Sequence, residues 1–536
     1  MKIIFILLII FGFALNSYSQ FPNFKIHPSN NAQIEPSIVH HPLNPLLLFC
    51  SAYTISPGGS GFRSESVYVS TDGGITWSGT DTCSGAPVST GHGGDPGPVI
   101  DKNGVFLMTH QGGLVTGMFA NTSTNQGASW TINYTIASND QDKGSPFTDD
   151  VAASSYYGRT FLVWTRYTNP FPIVISYTSN SGTSWSSLAQ INSGISGRQS
   201  VGPVGVTGPD GTEYVSWASA DNSAGLVERG IGFASSTNGG VNWNVQENIF
   251  SITGIKTSSL QPWGIRVNSY PEMDIDKTNG SRRGWIYIVV SEKNQLPSGN
   301  DADVILFRSS DGGATWSSGK RVNQDPINNG KVQYFPVVSV DALGGVSVVY
   351  YDNRLSTGAA DSTMNVFLSY SKDGGSTFTD YKISDHTFKP SSVSGTGSGN
   401  QGDNIGITNA GGYVIPVWMD NSTGNYQVWG SRISILTLGV NTISSEIPNE
   451  YSLYQNYPNP FNPTTKIRFS IQTNNSQTSL IVYDMNGKEV KRLVEKTMNA
   501  GTYETEFTTE GVASGIYTYK LISNGFESTK KMVLIK

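Results

Sequence analysis

Asp95, Glu272, Tyr334, Gln401 and Asp403 stand where proline-led apolar segments begin, and His92 precedes one of them in GHGGDP. Arg166, Asp352, Arg354 and Asp420 close segments rich in aromatic and β-branched residues. If both kinds of boundary face one opening, these groups share a mouth. Tyr334, Glu272, Arg354, Asp352, Asp95 and Asp403 are then the catalytic candidates at that mouth. His92, Arg166, Gln401 and Asp420 are polar groups suited to orienting a ligand. A plainer reading stands beside this one: Asp352 and Arg354 form a loop ion pair, and the acids hydrate a channel. DQDKG (140–144) begins like a calcium loop, but Gly144 falls on its fifth position and no Glu follows at the twelfth. No metal is expected. Nucleophile elbows, phosphate loops and zinc spacings are absent, so no cofactor is expected.

The elements that must position these residues repeat along the chain. STDGGITW (70–77) returns as STNQGASW (123–130), TSNSGTSW (178–185), STNGGVNW (236–243), SSDGGATW (309–316) and SKDGGSTF (371–378). Each octet follows a β-branched or aromatic run, which reads as a strand. Upstream, proline-led segments recur as DPGPVID (95–101), YPEMDID (270–276) and FPVVSVD (335–341), and proline is tolerated where a strand starts. The unit is therefore four strands, and its repetition predicts a β-propeller. First strands begin near 35, 95, 145, 202, 271, 335 and 403, while the seventh unit stops after three strands. Residues 22–28 are expected to supply its missing outer strand, which favours seven blades over six.

The octets read as structure rather than chemistry. Their central glycines allow the positive φ of a tight turn, and Asp72, Asn125, Asn180, Asn238, Asp311 and Asp373 can accept backbone N–H groups. Asn at three of these positions shows that no charge is required. The closing aromatics (Trp77, Trp130, Trp185, Trp243, Trp316 and Phe378) are spaced to tuck between blades.

Composition agrees with such a fold. Charged residues are 14% and glycines number 60, which suits short strands joined by tight turns. The net charge of −6 argues against a nucleic-acid partner. Lys2, the apolar run Ile3–Leu15, and Ser17 and Ser19 form a signal peptide over 1–19, with cleavage before Gln20. No later stretch is apolar and long enough to span a membrane, so the mature protein is expected to have no transmembrane segment. Cys50 and Cys83 meet an oxidising compartment; pairing and two free thiols stand equally open.

The octets resemble the Asp boxes (BNR repeats) of the sialidase superfamily, and the resemblance covers residues 20–436. It implies a propeller and, in many members, glycan binding or glycoside hydrolysis. Sialidases carry Arg-Ile-Pro on the first strand, two further arginines, an acidic proton donor and a Tyr–Glu pair; Tyr334, Glu272 and Arg354 would imitate part of that set. Here the register of the first arginine holds Ile34, Gly94, Gly144, Val201, Ser269 and Tyr334. A sialidase carboxylate clamp is not visible.

After a linker at 437–450, residues 451–536 form a second, smaller β domain, expected to be a sandwich. YQNYPNPFNPTTKIRFSI (454–471), VYDMNGKEVKRL (482–493), AGTY (500–503), SGIYTYKL and the final KKMVLIK closely resemble the type A C-terminal sorting domain of the type IX secretion system. The resemblance implies that the secretion machinery is a partner, and that the protein is secreted or held at the outer-membrane surface after passing the periplasm. The sequence thus predicts an all-β, exported propeller that binds extracellular polysaccharide or glycoprotein. A glycoside hydrolase with a non-standard site is the alternative.

Overall fold

The computed structural model describes residues 21–535 apart from 60–62, 84–91, 132–133, 224, 359–360, 398, 439, 445 and 509–511. The signal-peptide reading of 1–19 lies outside the described residues. The chain is all-β, and residues 21–438 form antiparallel sheets that share one plan. Sheet I is Ala32–His41, Asn44–Ile55, Val67–Ser70 and Ser78–Thr80, with Arg63–Glu65 paired beside its second strand. Sheet II is His92–Ile100, Phe106–Gly112, Gly117–Ser123 and Tyr134–Ser138. Sheet III is Gln141–Thr148, Thr160–Arg166, Ile173–Thr178 and Ala189–Gln190, and sheet IV is Arg198–Thr207, Glu213–Asp221, Glu228–Ser236 and Asn244–Ser251. Sheet V is Glu272–Ile275, Ile286–Glu292, Asp303–Ser309 and Lys320–Arg321; sheet VI is Gln333–Val340, Val346–Asp352, Asn365–Ser371 and Thr379–Lys382. Sheet VII takes Gly406–Ala410, Tyr413–Asp420 and Gln427–Ser431 from one end of the chain and Asn23–Lys25 from the other. In this last sheet Asn23 pairs with Ser431 and Lys25 with Trp429.

The first strand of each sheet packs on the first strand of the next, and that of sheet VII packs on that of sheet I. Apolar clusters fill the gaps between neighbouring sheets. One joins Phe147 and Phe161 of sheet III to Val215 and Trp217 of sheet IV, and another joins Leu306 of sheet V to Val348 of sheet VI. The octet aromatics enter these gaps. Trp316 meets Phe233 and Phe250 of the preceding sheet edge-on, with ring centroids at 5.2 and 5.9 Å. Gly313 shows why its octet position excludes a side chain: its φ is +87°, and a Cβ there would stand 2.2 Å from the Phe233 ring.

Most prolines do not start the first strands, contrary to the sequence expectation. They sit in bulges inside them. Pairing register shifts between Ile34 and Ser37, Gly94 and Gly97, Val201 and Val204, and Tyr334 and Val337, and each interval contains the proline. Sheet III has the same bulge between Asp142 and Ser145. Proline fits because a bulge leaves its position without a ladder donor to supply. The residue at the bulge is left-handed: Glu35 has φ +56°, Asp95 +54°, Lys143 +59° and Phe335 +51°. Such conformations cost a non-glycine residue roughly 1–3 kcal/mol each.

Beyond Leu438 two more four-stranded sheets share one apolar cluster that includes Ile467, Phe469, Val482, Tyr519 and Met532. Val440–Ser444, inside the stretch expected as linker, is a strand of the first of these sheets and pairs with Gly501–Thr508. Cys50 and Cys83 are buried and free.

Candidate functional site: a charged cluster at the axis

The first strands of sheets I to VII line a cavity of about 710 Å³. Asp95, Lys143 and Asp403 line it, as do Asp150, Lys277 and Asp341 from the segments beyond the same strands. No arginine lines it among the described residues.

The bulges aim their charges at one another. Lys143 Nζ lies 2.7 Å from Asp95 Oδ1 and 2.7 Å from Asp403 Oδ2. Arg266, from the long connection between sheets IV and V, donates through Nη2 to both Asp403 oxygens at 2.9 Å. With its amide oriented to satisfy both neighbours, Gln111 bridges Asp95 Oδ2 (2.7 Å) and Asp142 Oδ1 (2.8 Å). Glu35 Oε2 accepts the Asp95 N–H at 3.1 Å, and Lys256 donates to the Tyr270 hydroxyl at 2.7 Å.

Burial and mutual charge set the protonation of this cluster. Burial raises Glu35 to about 7 against the pull of Lys143, and the Asp95 and Asp403 charges add to the rise. Burial likewise raises Asp142 to about 6, with Asp95 adding to it. Burial also works to raise Asp403, but Lys143 and Arg266 outweigh it and hold this carboxyl well below the usual range. Near neutral pH the site therefore contains a carboxyl poised to give a proton beside one that stays ionised. Environments that push two carboxyls apart in this way are how acid and base roles are divided.

The residues singled out in the sequence divide sharply. Asp95 and Asp403 are brought together, with Lys143 between them. Glu272 lines the same cavity, and burial alone raises it to about 8. Tyr334 is a correction: it is fully buried in an apolar cluster, its ring 5.1 Å from that of Tyr351 and its hydroxyl taking a 3.4 Å hydrogen bond from Gln401. No hydrogen bond joins it to Glu272 among the described residues. Gln401 is buried too, and accepts from the Tyr426 hydroxyl at 3.2 Å. Arg354 is committed elsewhere, at 2.6 Å from Asp352 and 2.5 Å from Asp380 on the outermost strand of sheet VI. Asp420 is fully buried and accepts from His386 Nε2 and Trp418 Nε1, both at 2.9 Å. Arg166 closes its strand opposite Gln141. His92 is buried rather than exposed at a mouth, stacked on His110 with centroids 4.0 Å apart, and burial lowers it to about 2.

The octet side chains all turn inward on their own turns. Asp72 Oδ1 accepts from Ile75 and Thr76 N–H at 3.0 and 2.9 Å, and Asp373 Oδ1 accepts from Ser376 and Thr377 at 3.0 and 2.8 Å. Asn125, Asn180, Asn238 and Asp311 each accept the N–H four residues on at 2.9–3.0 Å. Hydrogen bonds from Thr315 pull Asp311 down to about 2.

Sequence reasoning missed Glu35, Gln111, Asp142, Lys143, Lys256, Arg266 and Tyr270. One signal was available. The residue directly before a bulge proline is charged at Glu35 and Asp95, one position after the register that was tested for arginine. Lys143 and Asp142 lay within DQDKG, read only against a calcium loop.

Residues 455–536 match the secretion system C-terminal sorting domain, so the chain carries that domain and is exported by type IX secretion to the cell surface or the extracellular space. No curated protein matches the chain. Among solved structures it is similar to a polysaccharide lyase of family PL25, an ulvan lyase: TM-score 0.48 and 11% identity, covering 76% of this chain and 94% of that one. The Hadza microbial sialidase Hz136 aligns with TM-score 0.40 and 13% identity over 74% of this chain and 75% of its own. An α-L-arabinanase of Penicillium chrysogenum complexed with arabinobiose aligns with TM-score 0.39 and 13% identity over 67% and 98%.

Proposed function

We propose that residues 20–436 are a seven-bladed Asp-box propeller, one blade per sheet, closed by its own N-terminal strand after removal of a signal peptide. The two sheets of residues 440–535 form a β-sandwich that delivers it. At the surface the propeller binds extracellular polysaccharide or glycoprotein at the axial cluster. The observation that carries this reading is the placement of Glu35, Asp95 and Lys143 on strained bulges whose charges converge with Asp403. Strain at equivalent positions of separate sheets is retained where a site needs it. A neutral or weakly charged glycan suits the site, because Lys143 and Arg266 are already neutralised by Asp95 and Asp403. The test is a glycan array probed with the mature protein and with Asp95→Asn. Binding by the wild type, lost in a variant of unchanged melting temperature, supports the assignment. Equal binding by both places the ligand elsewhere.

Hydrolysis is the second reading, favoured by the split between Glu35 and Asp403. Glu35 would act as proton donor and Asp403 as the ionised partner. New reducing ends released from an array-positive glycan, with activity falling above about pH 7 and absent in Glu35→Gln, would move the protein from binder to hydrolase.

A further inference from the structure

The seam of the ring carries a titratable group that the glycan reading does not use. His386 lies in the connection that leads from the outer strand of sheet VI to sheet VII. Its two ring nitrogens face two carboxylates: Nδ1 stands 2.6 Å from Asp385 Oδ1, and Nε2 stands 2.9 Å from Asp420 Oδ2. A carboxylate oxygen only accepts, so each contact needs an N–H, and a neutral imidazole has one. The geometry is therefore that of the doubly protonated ring. The same ring lies 4.5 Å from that of Trp429, within the range over which an aromatic ring holds a cation. Lys25 Nζ stands 5.4 Å from the centre of that indole. Among the described residues, these contacts bring three charged groups to His386: Asp385, Asp420 and, beside the indole, Lys25.

Each partner belongs to a different part of the closure. Asp420 is fully buried at the end of the second strand of sheet VII. Asp385 Oδ2 accepts the Asn23 N–H at 3.2 Å, while Asn23 Oδ1 accepts the Asp385 N–H at 2.6 Å and Asn23 Nδ2 donates to the Ile383 carbonyl at 2.8 Å. Asn23 opens the N-terminal strand, and Trp429 pairs with Lys25 of that strand. We propose that His386 is a proton-operated latch on this seam: the cationic ring ties sheet VII to the segment that grips the N-terminal strand, and loss of one proton sets a lone pair against one of the two carboxylates. Burial pulls His386 down, but the hydrogen bonds and charges of Asp420 and then Asp385 outweigh it and hold the ring above its ordinary value. The stabilisation is therefore complete below the unfolded value of about 6.5 and is lost as pH rises through the higher folded one. The ring is locked in acid and loosened in alkali.

The experiment compares the full mature chain with His386→Gln by thermal melting between about pH 5 and 9. Subtracting the two profiles at each pH cancels the buried carboxyls of the axial cluster. The expected result is a propeller transition several degrees higher in the wild type at the acid end, with the gap closing toward the alkaline end. Hydrogen exchange of the Asn23–Lys25 amides, read as variant against wild type at each pH, is expected to converge in the same way. A gap that stays constant with pH, or that widens as pH rises, overturns the latch. If the variant fails to fold, the wild type decides. With histidines labelled at Cε1, one of the six imidazoles is expected to titrate above about 6.5, and its midpoint to fall in Asp385→Asn. No imidazole titrating above that value, or a midpoint unmoved by Asp385→Asn, overturns the proposal.

Discussion

The two parts of this chain bury different things. In the propeller region Glu35, Glu65, Glu213, Glu228, Glu292 and Asp352 are all buried, and its first strands hold left-handed Glu35, Asp95, Lys143 and Phe335. The C-terminal sheets bury Asn456, Thr465, Ser470, Ser476, Thr478, Thr505 and Ser523 and no carboxyl among their described residues; the half-buried Lys496 is their one charged group that burial shifts strongly, down to about 8. Their ion pairs, such as Lys466–Glu504 and Lys520–Glu527, lie at the surface. Their left-handed non-glycine residues, Asn475 and Asn524, are asparagines, the type that tolerates it best. Buried charge and strain lower stability, and both are concentrated in the propeller region. A domain that only has to be recognised as a sorting signal can dispense with both.

The largest effect that tests this contrast is on export. Removing 440–536 abolishes surface delivery and leaves the propeller melting transition in place; fractionation that still finds the truncated protein outside the cell breaks the division. Next comes the seam. Deleting 22–28 strips the outer strand from sheet VII and bares an edge, so the propeller transition falls by many degrees while the C-terminal domain melts as before. A propeller transition unmoved by the deletion would mean that the strand is an ornament.

Within the propeller, Trp316→Ala costs about 3 kcal/mol, the low end for a large aromatic because Trp316 is only half-buried. Asp311→Ala, an exposed turn acceptor, costs about 1 kcal/mol. Denaturant titration should preserve that order and leave glycan affinity unchanged in both. A smaller effect is pH dependence. Burial raises Glu35 and Glu213 to about 7, and Glu272 and Glu292 to about 8. The folded state therefore holds protons that the unfolded chain releases, and propeller stability falls as pH rises from about 4.5 toward 8. The isolated C-terminal domain, with no buried carboxyl, shows no such slope; equal slopes in both would remove the contrast. The smallest expected effect is none: a fluorogenic sialoside is not turned over between about pH 4 and 8. No arginine lines the cavity among the described residues, and Arg354 is held by Asp352 and Asp380. Turnover abolished by Arg354→Ala would reverse this conclusion.

Much of the fold was legible because its determinants are local. The octets declare their own turns, and the runs before them declare strands. The closing strand was readable because FPNFKIHPSNNAQIEPSI mirrors the junction GKRVNQDPINNGKVQYFPVV. The site was harder. A left-handed backbone leaves no compositional trace, so the charge before the proline at Glu35 and Asp95 was the one sign of it. Arg266 and Lys256 belong to a connection outside the repeat, and nothing in the pattern points from 266 to 403. Tyr334 misled for the opposite reason: its place in the repeat was right, but at a bulge one position decides whether a side chain enters the core or the channel.

The seam has a bearing on the order of events in the cell. Ser431 Oγ donates to the Pro22 carbonyl, 409 positions away, and the last sheet cannot be completed until both are available. Every chain interrupted before that point is an open arc with bare strand edges, and so the most prone to aggregate. The matched sorting domain starts at 455, after Gln427–Ser431, the strand of sheet VII that receives the N-terminal segment. A broken or unfinished chain is therefore one that carries no address, and only molecules long enough to close their ring are ever labelled for the outside.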